Sequence, residues 1–340
     1  MARAAGVSVT TVSHVFNQTR PVAEETQRRV RATIEQLGYQ PSVLARALRG
    51  EKTGSIGMLV TSSTNPVFAE VIKGVEQRCF ERGYSLILCN TGDDRERLNR
   101  HLKTLLQKRI DGLVVMTTNA DLRFFDDLRE HRGLMMVAID AEDLEEVPVV
   151  KDDSTRGGAL AADYLLGRGF RKLAAIAGPA AHPRAEQRLQ GFVQALREAG
   201  QDEAALFIVR SDMTLADGAA AMRRLLHQAE RRPDAVFCMN DLSAIGALHA
   251  AREAGLAVPD DISLIGYDDI EMAAYCAPPL TTVRQPTLDI GRTAADRLIG
   301  LVEGAESGSA VVALPPELIE RQSVGFGPAY REPAQGEASP

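Results

Sequence analysis

The stretch Ala2-Arg-Ala-Ala-Gly6-Val-Ser-Val-Thr-Thr-Val-Ser-His-Val-Phe16 decides how the first part of the chain is read. Ala2 to Gly6 reads as the end of a short helix stopped by Gly6, and Ser8 is placed to cap a second helix, Val9 to Phe16. That is a helix-turn-helix spacing. Val12 and Val15 give the second helix its buried side. Val9, Thr10, Ser13 and His14 then face outward with short hydrogen-bonding or methyl-bearing tips, which suit base edges in a major groove. A third helix begins near Ala23, within Pro21-Val-Ala-Glu-Glu-Thr26, and runs to Leu37. Val30, Ile34 and Leu37 stand at helical spacing along it, and Gly38 is its stop.

These helices alone suit an ordinary three-helix bundle with a solvated polar face equally well. The next stretch, Pro41-Ser-Val-Leu-Ala-Arg-Ala-Leu-Arg49, changes the balance. Pro41 and Ser42 open a short helix that ends before Gly50. Small Ala45 and Ala47 stand beside exposed Leu44 and Leu48, with Arg46 and Arg49 flanking. So short a helix is marginal in water. It makes sense if it forms on DNA, where an apolar wedge unstacks a base step in the minor groove while arginines hold phosphates.

Charge agrees with that reading. The chain of 340 residues carries a formal net charge of −7. Residues 1–52 nevertheless hold eight Lys/Arg against four acids, or +4, which leaves −11 for the remainder. A basic head on an acidic body suggests that the head alone meets a polyanion, because phosphate contacts dominate nucleic-acid affinity. The length allows two or three domains. No apolar run approaches the ~20 residues that span a bilayer, and the first residues lack the apolar core of a secretory signal, so a cytoplasmic protein is expected. Cys79, Cys89, Cys238 and Cys276 are far apart, without a CxxC or a His partner at metal-ligand spacing, and are read as reduced thiols.

From Gly54 the pattern becomes short β-branched apolar runs alternating with amphipathic stretches. The runs are 56–60, 85–89, 112–116, 134–139, 173–176, 235–238 and 262–265. Between the first two, Phe68, Val71, Ile72, Val75 and Cys79 mark a helix by their spacing. The alternation predicts parallel sheets with helices on both faces, and such sheets bind ligands at the carboxyl ends of their strands. Asn65, Asn240, Asp241 and Asp268 fall at or just beyond such ends, and Arg188 lies on the helix after Gly178-Pro179. Each alone suits a cap or turn; their shared position favours a site.

The chain resembles the LacI family, and within it the ribose and purine repressors. The resemblance is carried by Gly6-Val-Ser-Val-Thr-Thr-Val-Ser-His-Val15, Val22-Ala-Glu-Glu-Thr26, Leu37-Gly-Tyr-Gln-Pro-Ser42 and Ala45-Arg-Ala-Leu48 in the head. In the body it runs through Cys79-Phe-Glu-Arg-Gly-Tyr-Ser-Leu86, Gln107-Lys-Arg-Ile-Asp-Gly-Leu113, Ser263-Leu-Ile-Gly-Tyr-Asp268, Pro279-Leu-Thr-Thr-Val-Arg-Gln-Pro286 and Leu318-Ile-Glu-Arg-Gln-Ser323. It implies that Val9, Thr10 and His14 read bases, that Arg20 helps on the flank, and that Leu48 is the minor-groove wedge with Ala45 and Arg49 beside it. Family members begin several residues earlier, with a capped first helix absent here, so a frayed headpiece is expected, and either the start codon lies upstream or the first helix is a single turn.

The resemblance further implies a small all-α headpiece at 1–40, a hinge helix and linker at 41–53, and a two-lobed α/β sensor at 54–326 of the periplasmic sugar-binding fold. Three crossings, near 152–156, 284–287 and 315–318, would make each lobe discontinuous. Asn65, Arg188, Asn240, Asp268 and Gln285 match the polar set that grips hydroxyls in ribose-type clefts, and Phe68 matches one aromatic wall. Val67 and Met213 stand where relatives place aromatics, and His182 and Arg184 replace the purine-contacting pair. A pentose or another small polyol is therefore the expected effector, rather than a purine.

No P-loop, GxGxxG, HExxH or nucleophile elbow occurs, so an enzyme is not expected, nor a cofactor or metal. Asp268 reads as an acceptor for sugar hydroxyls and Asp269 as a turn residue. A transport-type binding protein would share the body but would need an export signal and have no use for the head. The expected partners are a pseudo-palindromic double-stranded operator, a small sugar and a second copy of the chain. Residues 327–340 have no apolar periodicity and are expected to be a disordered tail, too short for tetramerising heptads.

Overall fold

The computed structural model describes residues 1–17, 20–37, 52–92, 94–116, 133–141, 147–202, 206–227, 232–305, 307–308 and 310–330. Two compact units make up the chain, Met1–Thr53 and Gly54–Pro340.

In the first unit, α1 (Val9–Asn17) and α2 (Glu24–Leu37) pack through Val12, Val15 and Val30, joined by Ala5. Ser8 opens α1: its side chain accepts from the Thr11 amide at 3.0 Å and its carbonyl from the Val12 amide at 3.1 Å. The side-chain bond satisfies one of the donors that a helix start leaves open, and the carbonyl takes the first bond of the helix itself. Ahead of it, Ala2–Gly6 is a single turn rather than a helix. The Ala5 amide donates to the Met1 carbonyl at 3.0 Å and the Val7 amide to that of Ala2 at 3.1 Å, and Gly6, at φ +62°, ends the turn in the left-handed region. Glu24 and Glu25 lie in the first turn of α2, where acidic groups favour the helix dipole. Leu37, read from its spacing as part of the buried stripe, is 52% exposed in the last turn.

The second unit holds two sheets of six strands. The first contains β1 (Ser55–Val60), β2 (Ser85–Asn90), β3 (Gly112–Met116), β4 (Met135–Ile139), β5 (Val149–Asp152) and β11 (Val311–Leu314), in the order β11-β5-β4-β3-β1-β2. In the second are β6 (Leu173–Ala177), β7 (Phe207–Arg210), β8 (Ala235–Cys238), β9 (Ser263–Asp268), β10 (Thr281–Arg284) and β12 (Glu317–Ile319), in the order β12-β10-β9-β8-β6-β7. Every pairing is parallel except β12 with β10. Among the described residues the helices of this unit are α3 (Pro66–Glu81), α4 (Arg95–Gln107), α5 (Ser154–Gly167), α6 (Pro183–Glu198), α7 (Leu215–Leu226), α8 (Asp241–Glu253), α9 (Glu271–Tyr275) and α10 (Thr287–Glu303).

Alternation along the strands explains the layers. Ile56, Met58 and Val60 share one core with Val114 and Met116, under α3 and α10; Leu59, Leu113 and Val115 share the opposite one with Leu102 and Leu105 of α4. A strand buried on both faces therefore reads as a continuous apolar run. The second sheet is built alike, with α7 and α8 on one face and α5 and α6 on the other. The chain leaves one sheet for the other between β5 and α5, between β10 and α10, and between β11 and β12. Close helix crossings fix the geometry. A Cβ on Gly158 of α5 would lie 1.9 Å from the Arg188 carbonyl oxygen, and one on Gly191 of α6 would lie 1.9 Å from that of Thr155. Only glycine permits that approach, and it sets the height of Arg188 over the sheet.

Residues 328–330, read from the sequence as part of a disordered tail, are ordered. Pro328–Tyr330 forms a 3₁₀ turn, Phe326 lies under the Arg168 guanidinium at 4.7 Å, and Tyr330 packs at Gly169. The same guanidinium lies 5.0 Å over the Tyr164 ring, a contact that the apolar pattern alone does not announce.

Candidate functional site

The surface of α1 places Val9, 74% exposed, and Thr10 in solvent, with His14 half-buried. Arg20 is exposed and, with His14, Gln27 and Arg31, borders a shallow depression. Ala45, Leu48 and Arg49 lie outside the described residues.

In the second unit, a cavity of about 320 Å³ opens where strands of both sheets present their carboxyl ends. Asn65 follows β1, Asp140 follows β4, Asn240 follows β8, Asp268 ends β9 and Gln285 follows β10, while Arg184 and Arg188 project from α6; all line the cavity. Several of these residues are held by the helix starts they cap. The Asn65 side chain accepts from the Val67 amide at 3.0 Å, and that of Asn240 accepts from the Ser243 amide at 3.0 Å while donating to the Met213 carbonyl at 2.9 Å. Capping fixes their rotamers and leaves them rigid at the wall.

Arg188 is the centre of the polar array. Its Nη1 donates to the Met239 carbonyl at 2.6 Å and to Asp268 Oδ1 at 3.3 Å, and its guanidinium stacks 3.8 Å over the Tyr267 ring. Gln285 Nε2 donates to the same Asp268 oxygen at 2.5 Å. Tyr267 in turn donates to Asp152 Oδ2 at 2.6 Å, and Ser154 to Oδ1 at 2.8 Å. Arg184 Nε stands 3.5 Å from Asp140 Oδ1, and its Nη1 donates to Gln187 Oε1 at 2.8 Å. Burial pushes the Asp268 carboxyl up to about 6, against the pull of Arg188 and Gln285, and the Asp140 carboxyl up to about 6, against that of Arg184. Asp140, Met213 and Asp268 hold φ of +57°, +61° and +117°. Strained non-glycine backbone gathered around one cavity is the pattern of a binding site.

All six residues read from the sequence as effector contacts (Asn65, Phe68, Arg188, Asn240, Asp268 and Gln285) meet in this lining. Asp241 and Asp269 stand outside it. The buried Asp241 accepts from Thr282 Oγ1 at 2.6 Å and the Ile270 amide at 2.9 Å, tying the β9 and β10 ends to α8. Asp269 is held by Arg284 at 2.7 Å and Arg321 at 2.5 Å. The sequence reading missed Asp140 and Asp212. Asp140 carries the same signal as Asp268, an acid immediately beyond a buried apolar strand, and could have been found by it.

This geometry finds its counterparts among known proteins. Residues 1–42 match the model of bacterial regulatory proteins of the lacI family, and residues 162–324 that of the periplasmic binding protein-like domain. The chain is 43% identical over 324 residues to the ribose operon repressor of Escherichia coli (strain K12), covering 95% of this chain and 98% of that protein. A solved lac repressor dimer bound to operator and the anti-inducer ONPF is similar at a TM-score of 0.86 and 27% identity, covering 95% of this chain and 97% of the other. A LacI family transcriptional regulator from Enterococcus faecium with bound ribose is similar at a TM-score of 0.73 and 28% identity, over 80% of this chain and 98% of the other. A helix-turn-helix head, a two-sheet body with a polar cavity, and relatives matched over nearly their whole length lead to one conclusion: this chain belongs to the LacI family of DNA-binding transcriptional regulators and is not an enzyme.

Proposed function

We propose that the chain is a cytoplasmic homodimeric repressor that binds a pseudo-palindromic operator and whose operator affinity is set by a small sugar, a pentose, held in the cavity. The two headpieces, residues 1–40, would contact half-sites about one helical turn apart. Val9, Thr10 and His14 would meet base edges and Arg20 a phosphate, with Ala45, Leu48 and Arg49 of the 41–53 hinge in the minor groove. Asn65, Phe68, Arg188, Asn240, Asp268 and Gln285 would hold the effector between the two lobes of 54–326.

The observation that carries this reading is the Arg188–Asp268–Gln285 array, buried at the carboxyl ends of strands and open to the cavity. Ionised donors and acceptors in fixed positions grip vicinal hydroxyls through charge-assisted hydrogen bonds. The volume lies at the small end for ligand sites. Among the described lining residues Phe68 is the one phenyl ring, beside the imidazole of His182, with aliphatic Val67 and Met213 on other walls, so these residues give a purine a single phenyl face to stack on. The ribose in the Enterococcus faecium structure supports the choice of sugar.

Calorimetric titration of the full chain with D-ribose, D-xylose and hypoxanthine tests it. A pentose is expected to bind and hypoxanthine not, and Asp268→Ala is expected to abolish pentose binding and with it the effect of the sugar on operator affinity. Hypoxanthine binding, or a normal response from Asp268→Ala, would show the cavity assignment to be wrong.

A further inference from the structure

The second arginine of the cavity carries an inference about what the site refuses. We propose that Arg184 and Asp140 form a charge-matched pair across the cavity that admits uncharged polyhydroxylated effectors and rejects sugars bearing a phosphate or carboxylate. This deepens the sugar reading above and rests on it.

The argument begins with the charges that face the cavity from each element around it. Among the described lining residues, α6 supplies the two guanidinium groups, of Arg184 and Arg188, each with a side chain 5% exposed. Against them stand Asp140 at the end of β4, Asp268 at the end of β9 and Asp212 after β7. Each arginine already has its own carboxylate, Arg188 with Asp268 at 3.3 Å and Arg184 with Asp140 at 3.5 Å. The nearby Asp152 adds negative potential, which Tyr267 and Ser154 temper through hydrogen bonds. A buried charge is tolerated when it is paired, and removing one partner strands the other. Among the described lining residues the guanidinium groups open to an incoming anion are Arg184, which it would take from Asp140, and Arg188, which it would take from Asp268, and either exchange leaves a buried carboxylate uncompensated.

The carboxylates report the same balance. Burial, with Asp152 adding repulsion, pushes both Asp140 and Asp268 up to about 6, so the cavity already disfavours further negative charge. Its open valences ask for a hydroxyl instead. Asp140 Oδ1 is a buried acceptor without a hydrogen-bond donor, and Arg188 Nε is a buried donor without an acceptor. A hydroxyl is the small group that can donate to one and accept from the other, and a polyol carries several. Arg184, held by Gln187 at 2.8 Å and 3.5 Å from Asp140, brings a second paired guanidinium to the same lining.

The test is calorimetric titration of the full chain, near neutral pH, with D-ribose, D-ribonate and D-ribose 5-phosphate. Wild type is expected to bind D-ribose and to bind the two anions at least ~100-fold more weakly, because like charges brought together without a counter-charge oppose binding. Asp140→Asn removes the carboxylate and frees Arg184. D-ribose should then weaken about tenfold and D-ribonate gain about tenfold, a crossed change that general damage to the cavity cannot produce. Wild-type binding of either anion within about threefold of D-ribose, or an equal loss for all three ligands in Asp140→Asn, overturns the proposal. If an anion binds tightly and Asp268→Ala abolishes it, the cavity reading stands and the charge-matching inference falls. If none of the three binds wild type, both fall.

Discussion

The two lobes of the body are alike in construction and opposite in chemistry. Each is a six-stranded, mostly parallel sheet with a glycine-sealed pair of helices: α3 and α10 meet at Gly74 and Gly291 in one, α5 and α6 at Gly158 and Gly191 in the other. The second lobe nevertheless supplies both arginines, with Asp268, Asn240 and Asp212, whereas the first supplies Asn65, Asp140, the small hydroxyls Thr61 and Ser62, and the apolar Val67, Phe68 and Met116. The shared scaffold fixes where a ligand can sit, at the strand ends. The difference between the lobes fixes how it is held: the second carries a rigid charged anchor, and the first, among its described residues, a lighter covering with one carboxylate. Val67 expresses that division, since it packs against the cores of both lobes.

Substitution at the two helix crossings would break the comparison most severely. Gly158→Ala places a methyl group 1.9 Å from the Arg188 carbonyl oxygen and Gly74→Ala one 2.3 Å from that of Leu288. Because backbone rather than a pliable side chain is struck, each is expected to cost about 3 kcal/mol or more, read as a shift in the denaturant midpoint. The two should differ in their effect on the site. Gly158→Ala displaces the turn of α6 that carries Arg188 and should weaken D-ribose binding in the surviving folded protein, while Gly74→Ala should alter stability with little change in affinity. Equal affinity losses would mean that the anchor is not confined to the second lobe.

A smaller effect, that of pH, touches one carboxylate in each lobe. Asp140 and Asp268 titrate near 6 in the folded chain, above the ordinary value of 3.8. The folded state therefore holds these protons more tightly than the unfolded state. The resulting contribution to stability is present below about pH 4 and fades as pH rises through about 6. Ligand binding has the opposite sign, because hydroxyls donating to the carboxylates favour their ionised form. D-ribose should release protons on binding near pH 6, and its affinity should fall about tenfold per carboxylate between pH 7 and pH 5. Asp268→Asn and Asp140→Asn should each remove part of that slope, measured by titration in buffers of different ionisation enthalpy. An affinity flat across this range would remove both carboxylates from the contact set.

The same contrast explains what could be read from the chain. The strands found by pattern, such as Ile56–Val60 and Gly112–Met116, are buried on both faces and read as unbroken apolar runs. Those missed are short or lie at edges: β5 ends in Lys151-Asp152, β7 in Arg210, and β11 leaves Val311 57% exposed. Four-residue segments with polar ends are indistinguishable from loop by periodicity. In the site, Asp268 stands out through the motif it ends, Ser263-Leu-Ile-Gly-Tyr-Asp268, and Arg188 through its place on the helix after Gly178-Pro179. Asp140 carries the strand-end signal after Met135–Ile139 but no motif around it, and its pairing depends on Arg184, 44 positions away in the sequence. Pairing across a cavity is a tertiary fact that local sequence does not carry.

Joining a DNA-reading head to a ligand-holding body in one chain requires that the two sites be energetically coupled, and coupling is reciprocal. The direct measurement is operator affinity with and without saturating D-ribose, set against D-ribose affinity with and without saturating operator duplex, on the same full-length protein at one salt concentration. The predicted result is one factor, about 5- to 150-fold, appearing in both pairs of titrations with the same sign. A sugar that binds the cavity, loses binding on Asp268→Ala, and yet leaves operator affinity unchanged would contradict the account.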